Sequence, residues 1–274
     1  MREITHEELK QIQLGILDKV HDFCEKNGIT YFLSSGTLIG AVRHKGYIPW
    51  DDDLDLYMPR ADYDKFIKLF PANSPENTKL LSLETDKKYQ YPFAKVIDDR
   101  TEMAETLFGE KFKIGVYVDI FPLENVPDGN VKFIWWFSLL TIFTLLFSVG
   151  RSVSSKKWEW VSCESSFLKK IIKGILYPVL LFVGYRFFLE KYDSILKAQS
   201  MEGKYVYNMG CGIGVHGCFR RSAIKSSVDI EFEGKQYKTM CGYKEYLYVT
   251  YGNFMELPPI EKRKPMHEFN AWWK

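Results

Sequence analysis

SSGTLIGAVRHKGYIPWDDDLDLY, residues 34–57, joins a small-residue turn, an apolar helical stretch, two bases and a run of acids. Asp51, Asp52, Asp53 and Asp55 place four acids within five positions. On an extended strand Asp53 and Asp55 point one way and Leu54 and Leu56 the other. Two carboxylates about 6.7 Å apart repel by about 2.5 kcal/mol at an effective dielectric of about 20. A hard divalent cation offsets that repulsion, which makes Asp53 and Asp55 the expected ligands of Mg²⁺ or Mn²⁺. The bland alternative is an acidic turn solvated at the surface. Upstream, Ser35-Gly36-Thr37 follows a short apolar run and precedes Leu38–Val42. Backbone amides at such a helix start cradle phosphate. Arg43 and Lys45 add positive charge between turn and acids. A phosphate turn, then bases, then a paired-acid metal site is the order that phosphoryl or nucleotidyl transfer requires.

Outward from this segment, residues 1–125 read as helices packed on a small mixed sheet. Thr5 and Glu8 form a capping box ahead of Leu9, Ile12, Ile16, Val20 and Phe23, and Asn27-Gly28 supplies the stop. Tyr31–Ser35 and Leu54–Met58 read as strands. Tyr63, Phe66, Ile67 and Phe70 mark a second helix, ended by Pro71. Phe93–Ile97 and Val116–Phe121 are further strands. The second carries Asp119 among apolar neighbours, and a buried carboxylate needs a metal or a base beside it. Asp119 is therefore the expected third acid, against the alternative of a strand-end acid at the surface. Lys95, on the Phe93–Ile97 strand, is a further expected phosphate contact by its charge and position.

Composition changes after Pro127. Residues 133–149, FIWWFSLLTIFTLLFSV, hold no charge in 17 positions, and as helix they reach about 25 Å, short of an apolar bilayer core of about 30 Å. GILYPVLLFVGY, residues 174–185, is too short to span. Between them lie Arg151, Lys156, Lys157, Lys169, Lys170 and Lys173 against Glu159 and Glu164, with Trp158 and Trp160. Bases and tryptophans beside apolar helix suit an anionic leaflet, so we expect an interfacial or shallowly re-entrant hairpin, with a buried helical hairpin as the alternative. From Leu189 the composition is ordinary again. Val228–Phe232 alternates into the turn Glu233-Gly234-Lys235, and Tyr243–Tyr251 is a helix ended by Gly252. The expected units are a catalytic core (1–130), an apolar membrane-associating insert (131–188) and a C-terminal part completing the catalytic domain (189–274).

Across 274 residues, 46% hydrophobic and 26% charged content excludes a disordered or collagen-like chain. Lys+Arg of 37 against Asp+Glu of 35 gives +2, which leaves no global footprint for nucleic acid. A mean hydropathy of −0.21 excludes a polytopic membrane protein. Cys24, Cys163, Cys211, Cys218 and Cys241 form no CxxC pair, and the first residues have no signal-peptide core, which together point to reduced thiols on the cytoplasmic side. In CGIGVHGC, residues 211–218, the spacing of Cys211, His216 and Cys218 fits no zinc pattern. His267, near the EKRK run at 261–264, reads equally as a phosphate contact or a solvated tail.

GTLIGAVRHKGYIPWDDDLDLY resembles the signature of the LicD family, which includes the fukutin-type transferases and has a nucleotidyltransferase-like fold. YPFAKVIDDRT (91–101), VYVDIFPLENVP (116–127), FEG (232–234) and GYKEYLYVTYGNFMELPP (242–259) resemble further family segments in the same order. The resemblance implies an α+β fold: a nucleotidyltransferase-like core of small mixed sheet and packed helices, with the apolar insert and a C-terminal α/β extension added. It implies transfer of a phospho-alcohol such as phosphocholine from a CDP-linked donor to a glycan hydroxyl, with CMP leaving. Teichoic acid precursors, lipopolysaccharide and capsule are the implied acceptors. On this chain it makes Asp53 and Asp55 metal ligands and Asp119 the third acid, and puts Gly36 and Thr37, beside Ser35, against the donor phosphates. The apolar insert suits a lipid-linked acceptor at the cytoplasmic membrane face. An NTP-dependent nucleotidyltransferase acting on a small molecule and a non-catalytic membrane adaptor are the competing readings.

Overall fold

The computed structural model of the chain describes residues 1–105, 113–156, 166–198, 203–208, 217–265 and 269–274. In chain order the elements are β1 (Arg2–Glu3), α1 (His6–Asn27), β2 (Phe32–Leu33), α2 (Ser35–His44), β3 (Asp55–Pro59), α3 (Arg60–Leu69), β4 (Thr78–Leu81), β5 (Ala94–Asp98), β6 (Thr101–Glu105), β7 (Lys113–Ile114), β8 (Tyr117–Asn125), α4 (Asn130–Lys156), α5 (Phe167–Val183), α6 (Tyr185–Lys197), β9 (Tyr205–Asn208), β10 (Cys218–Arg220), β11 (Ser227–Phe232), β12 (Lys235–Met240), α7 (Tyr243–Tyr251) and β13 (Phe269–Trp273). This is the α+β class expected.

Local chemistry sets the first helix. Glu8 N–H donates to Thr5 Oγ1 at 3.2 Å and Thr5 N–H to Glu8 Oε2 at 3.0 Å, closing the capping box. Gly28 takes the left-handed conformation, φ 59°, and its N–H meets the last carbonyls of α1. The buried face of α1, with Leu9, Ile12, Ile16 and Val20, joins one apolar core with the central sheet.

That sheet runs β10-β9-β8-β3-β2, and β5 pairs with β8 on the edge opposite β3. β8 is buried along its whole length. It runs parallel to β3 and antiparallel to β5 and β9. β9 and β10, from the C-terminal part, thus extend the sheet that holds the acids. A second sheet, β1-β13-β6-β7, pairs the strands nearest the two ends of the chain, and β11-β12 is a hairpin. Arg60 locks the layers together. It forms a buried ion pair with Glu124 of β8 and lies 3.8 Å from Asp193 of α6.

Several elements differ from the sequence reading. Tyr31–Ser35 is not one strand, because the chain turns into α2 at Ser35, with φ 48°. β3 starts at Asp55, so Asp53 lies in the segment leading to the strand and not on it. The base-rich tail ends in a strand, β13, whose pairing with β6 is long-range and leaves no local signal. The boundary expected at residue 188 falls inside α6.

The helix α4 runs 27 residues, well beyond its uncharged centre. A 24-residue stretch, Asn130–Val153, is long and apolar enough to cross a membrane. It carries two stripes. Trp136, Leu140 and Phe147 bury against Leu189, Tyr192 and Leu196 of α6. Val131, Ile134, Trp135, Leu139, Ile142 and Leu145 stay exposed on the other side. The close pass of α4 and α6 occurs at Gly150, where a Cβ would sit 3.1 Å from Tyr185 Cβ. A bend of 77° separates α5 from α6, and α5 is apolar and outward-facing along most of its length. Lys157, Trp158 and Trp160 lie outside the described residues.

Candidate active site

Three strands bring Lys95, Asp119 and Asp55 into one row. Asp55 of β3 is the parallel partner of Asp119 on β8, and Lys95 of β5 is the antiparallel partner of Asp119 on the other edge. Backbone bonds fix this row: Asp119 N–H donates to Leu54 O at 2.9 Å and Ser34 N–H to Asp55 O at 3.1 Å. Lys95 Nζ donates to Asp119 Oδ1 at 2.6 Å. The ammonium lies 3.3 Å from the Tyr117 ring centroid, with Tyr91 and Phe93 at 4.9 and 5.3 Å. The base that a buried Asp119 demands is therefore Lys95, itself 2% exposed. A lysine in that pair does not face solvent as a phosphate contact would.

Asp51, Asp52 and Asp53 cluster beside this row, with one carboxylate oxygen of each within 4.8 Å of the others. Burial, then the charges of Asp53 and Asp52, push Asp51 up to about 7. Asp55 is pushed well above the usual carboxylate range by burial first, then by Asp53, Asp119 and Asp51, with Lys95 opposing. Carboxylates that resist ionising together are what a hard cation relieves, and an all-oxygen donor set suits Mg²⁺ or Mn²⁺. Asp51 is not among the ligands expected from the sequence. Its signal was present in the DDD run, but period-2 alternation selects Asp53 and Asp55, and the chain is not yet a strand there.

The small-residue turn serves this cluster. A Cβ at Gly36 would lie 2.5 Å from Asp51 Oδ2, so glycine is what lets the Asp51 carboxylate approach the start of α2. Thr37 Oγ1 accepts the Asp55 N–H at 2.8 Å and sets the first residue of β3. Ser35 Oγ meets Tyr57 OH at 3.1 Å, and Tyr246 OH donates to Tyr57 OH at 3.2 Å, which links α2, β3 and α7. The side chains of Ser35 and Thr37 thus hold the scaffold. The amides of Gly36 and Thr37 open the first turn of α2, where helix geometry provides no intrahelical acceptor.

Arg43 is half-buried at the end of α2. It donates through Nη1 to Phe254 O at 2.9 Å and Glu256 O at 3.2 Å. Lys45 is exposed, and its carbonyl accepts Glu233 N–H at 2.8 Å. Its ammonium has no protein partner among the described residues. Glu233 also accepts Tyr47 N–H at 2.9 Å. The FEG turn between β11 and β12 therefore clasps the loop that leads into the acids. A cleft of about 230 Å³ lined by Glu8, Lys19, Asp98, Arg100 and Trp273 holds none of these residues. Cys211, His216 and His267 lie outside the described residues.

Residues 28–139 match the family model described as "LicD/FKTN/FKRP, nucleotidyltransferase domain". The chain is 29% identical over 279 aligned positions to the lipopolysaccharide cholinephosphotransferase LicD of Haemophilus influenzae, covering 99% of each chain. Shorter matches of 45% and 43% identity over 56 residues reach uncharacterised proteins of Rickettsia typhi and Rickettsia prowazekii, each covering 20% of this chain and about a fifth of the relative. The resemblance carried by the acidic motif is borne out.

Proposed function

From the LicD-type nucleotidyltransferase domain at residues 28–139, we propose that the chain is a metal-dependent phosphotransferase. It moves phosphocholine or a similar phospho-alcohol from a CDP-linked donor to a hydroxyl of a cell-surface glycan precursor. Lipopolysaccharide is the first acceptor to test, with teichoic acid and capsule precursors next. The observation that carries this reading is the cluster of Asp51, Asp52 and Asp53, which lies beside the glycine turn at Gly36 and leads into the strand where Asp55 is the register partner of Asp119. Full-length similarity to a lipopolysaccharide cholinephosphotransferase supports it.

In this reading Asp53 and Asp55, joined by Asp51, hold Mg²⁺ or Mn²⁺. The ion neutralises charge on the transferring phosphoryl group when bound. The α2 amides of Gly36 and Thr37 and the Arg43 guanidinium receive the donor phosphates. Lys95 donates to Asp119 and holds that carboxylate in place. Asp119 then accepts the proton of the attacking hydroxyl as that oxygen moves in line on phosphorus and CMP departs.

The exposed stripes of α4 and α5 rest in the cytoplasmic interface of the membrane. Lys132 and Lys170 are exposed and Lys173 is half-buried, and all three suit an anionic leaflet. A true crossing is disfavoured by α6, which packs along α4 and carries Arg186, Glu190, Lys191, Asp193 and Lys197. Inserting α4 across hydrocarbon would draw those charges in with it.

The test is incubation with CDP-choline, CDP-ribitol and nucleoside triphosphates, each with and without lipopolysaccharide precursor. Acceptor-dependent CMP release is expected. Pyrophosphate release from a triphosphate would instead identify a nucleotidyltransferase, and no release of either product would favour the adaptor.

A further inference from the structure

The segment Phe254–Pro258 holds two guanidinium groups by its carbonyls. Arg43 Nη1 donates to Phe254 O and Glu256 O, at 2.9 and 3.2 Å, and Arg263 Nε donates to Pro258 O at 2.8 Å. Arg263 comes from the EKRK run. Its guanidinium carbon lies 5.6 Å from the ring centroid of half-buried Trp50, the residue directly before Asp51. The two arginines are close enough to repel: after burial, the Arg263 charge is the next cause that lowers the Arg43 proton affinity, with Asp51 opposing. Among the described residues neither forms an ion pair with a carboxylate. Arg43 Nη2 and both Nη groups of Arg263 have no acceptor among the described residues either.

Two like charges held together beside an acid cluster, each with free donors, complement a ligand with two anionic units. A planar guanidinium fork matches two oxygens of one phosphoryl group. We propose that Arg43 and Arg263 are the two arms of a clamp for the diphosphate of a nucleoside diphosphate-linked donor, with Trp50 as the positioning residue for Arg263. This rests on the CDP-donor reading above and adds a second arm from the C-terminal segment.

The experiment titrates the full-length protein with CDP and, separately, with CMP in the presence of Mg²⁺, by calorimetry. CDP is expected to bind tighter than CMP. Arg263→Gln and Arg43→Gln are each expected to weaken CDP by about 10- to 100-fold, the worth of a charge-assisted contact, while CMP affinity changes little. Arg263→Lys keeps charge without the fork and falls between, as does Trp50→Leu. The CDP affinity of the wild type falls with added NaCl, and that of Arg263→Gln falls less steeply. Wild-type CDP affinity in Arg263→Gln, equal losses for CDP and CMP, or no preference for CDP in the wild type would each overturn the clamp. If the clamp binds CDP but CDP-choline yields no CMP, the transfer reading fails and the clamp stands. If CMP release proceeds unchanged in Arg263→Gln, the clamp fails and the transfer reading stands.

Discussion

Removing one carboxylate from the acid cluster separates its two effects, on the fold and on the chemistry. Asp53→Asn deletes a charge that raises the proton affinity of Asp51 and Asp55, and Asp55→Asn removes a buried carboxyl that its acidic neighbours make hard to ionise. Metal-free stability is therefore expected to stay level or rise, read as the thermal midpoint in EDTA. Activity is expected to fall by at least about 10³-fold, the scale of losing a strong electrostatic contact to the transition state. Near-wild-type turnover at saturating Mg²⁺ would remove both residues from the metal site. Asp51 gives a pH signature. Its ordinary value is 3.8 and the fold raises it to about 7, so the folded chain binds this proton more tightly than the unfolded one. Its stabilising contribution is complete below the unfolded value and disappears as pH rises through about 7. Urea midpoints in EDTA should fall between about pH 4 and pH 7 for this reason, and Asp51→Asn should flatten that slope. Added Mg²⁺ should raise the midpoint more at neutral pH than at acid pH, because binding favours the folded, ionised site.

The elements that position the site were legible where the cue is local. The Thr5 box, the Gly28 stop, the β11-β12 hairpin and α7 ending at Gly252 all stand where the sequence placed them. Asp119 was legible because a lone acid in an apolar strand needs a partner. Its partner Lys95 reads from the sequence as a phosphate contact, since cross-strand register between β5 and β8 is not written in either strand alone. The same limit hid β13 and the grip of Glu233 on the α2–β3 loop. That grip depends on close backbone contact. A Cβ at Gly40 would lie 2.4 Å from Gly46 O and 3.2 Å from Ile48 N. Both are main-chain atoms that cannot swing aside, so Gly40→Ala is expected to cost about 1–3 kcal/mol, measured by urea unfolding. The displaced loop leads to Trp50 and the acids, so Mg²⁺ affinity should weaken with it.

At the scale of the whole molecule, the apolar stripes are expected to bind membrane without supporting the fold. Ile134, Trp135, Ile175 and Phe182 are 61%, 68%, 67% and 93% exposed. Each would gain about 1.5–3 kcal/mol on full burial in the interface. A variant with all four changed to Ser should lose binding to anionic vesicles, keep its thermal midpoint and still use a water-soluble glycan acceptor. Salt should strip only part of the wild type from vesicles, since apolar burial survives screening. Wild-type protein that ignores vesicles would refute the interfacial reading. The pairing of β13 with β6 and β1 bears on how the chain is made. Glu105 and Phe269 are 164 positions apart in the sequence, so at about 5–20 residues per second the later strand emerges on the order of ten to thirty seconds after the earlier one. During that interval the β6 edge is unpaired, while the apolar helices between them have already left the ribosome. A nascent chain in that state carries its apolar helices before the sheet of β1, β13, β6 and β7 can close, so the order of synthesis puts completion of that sheet after their emergence.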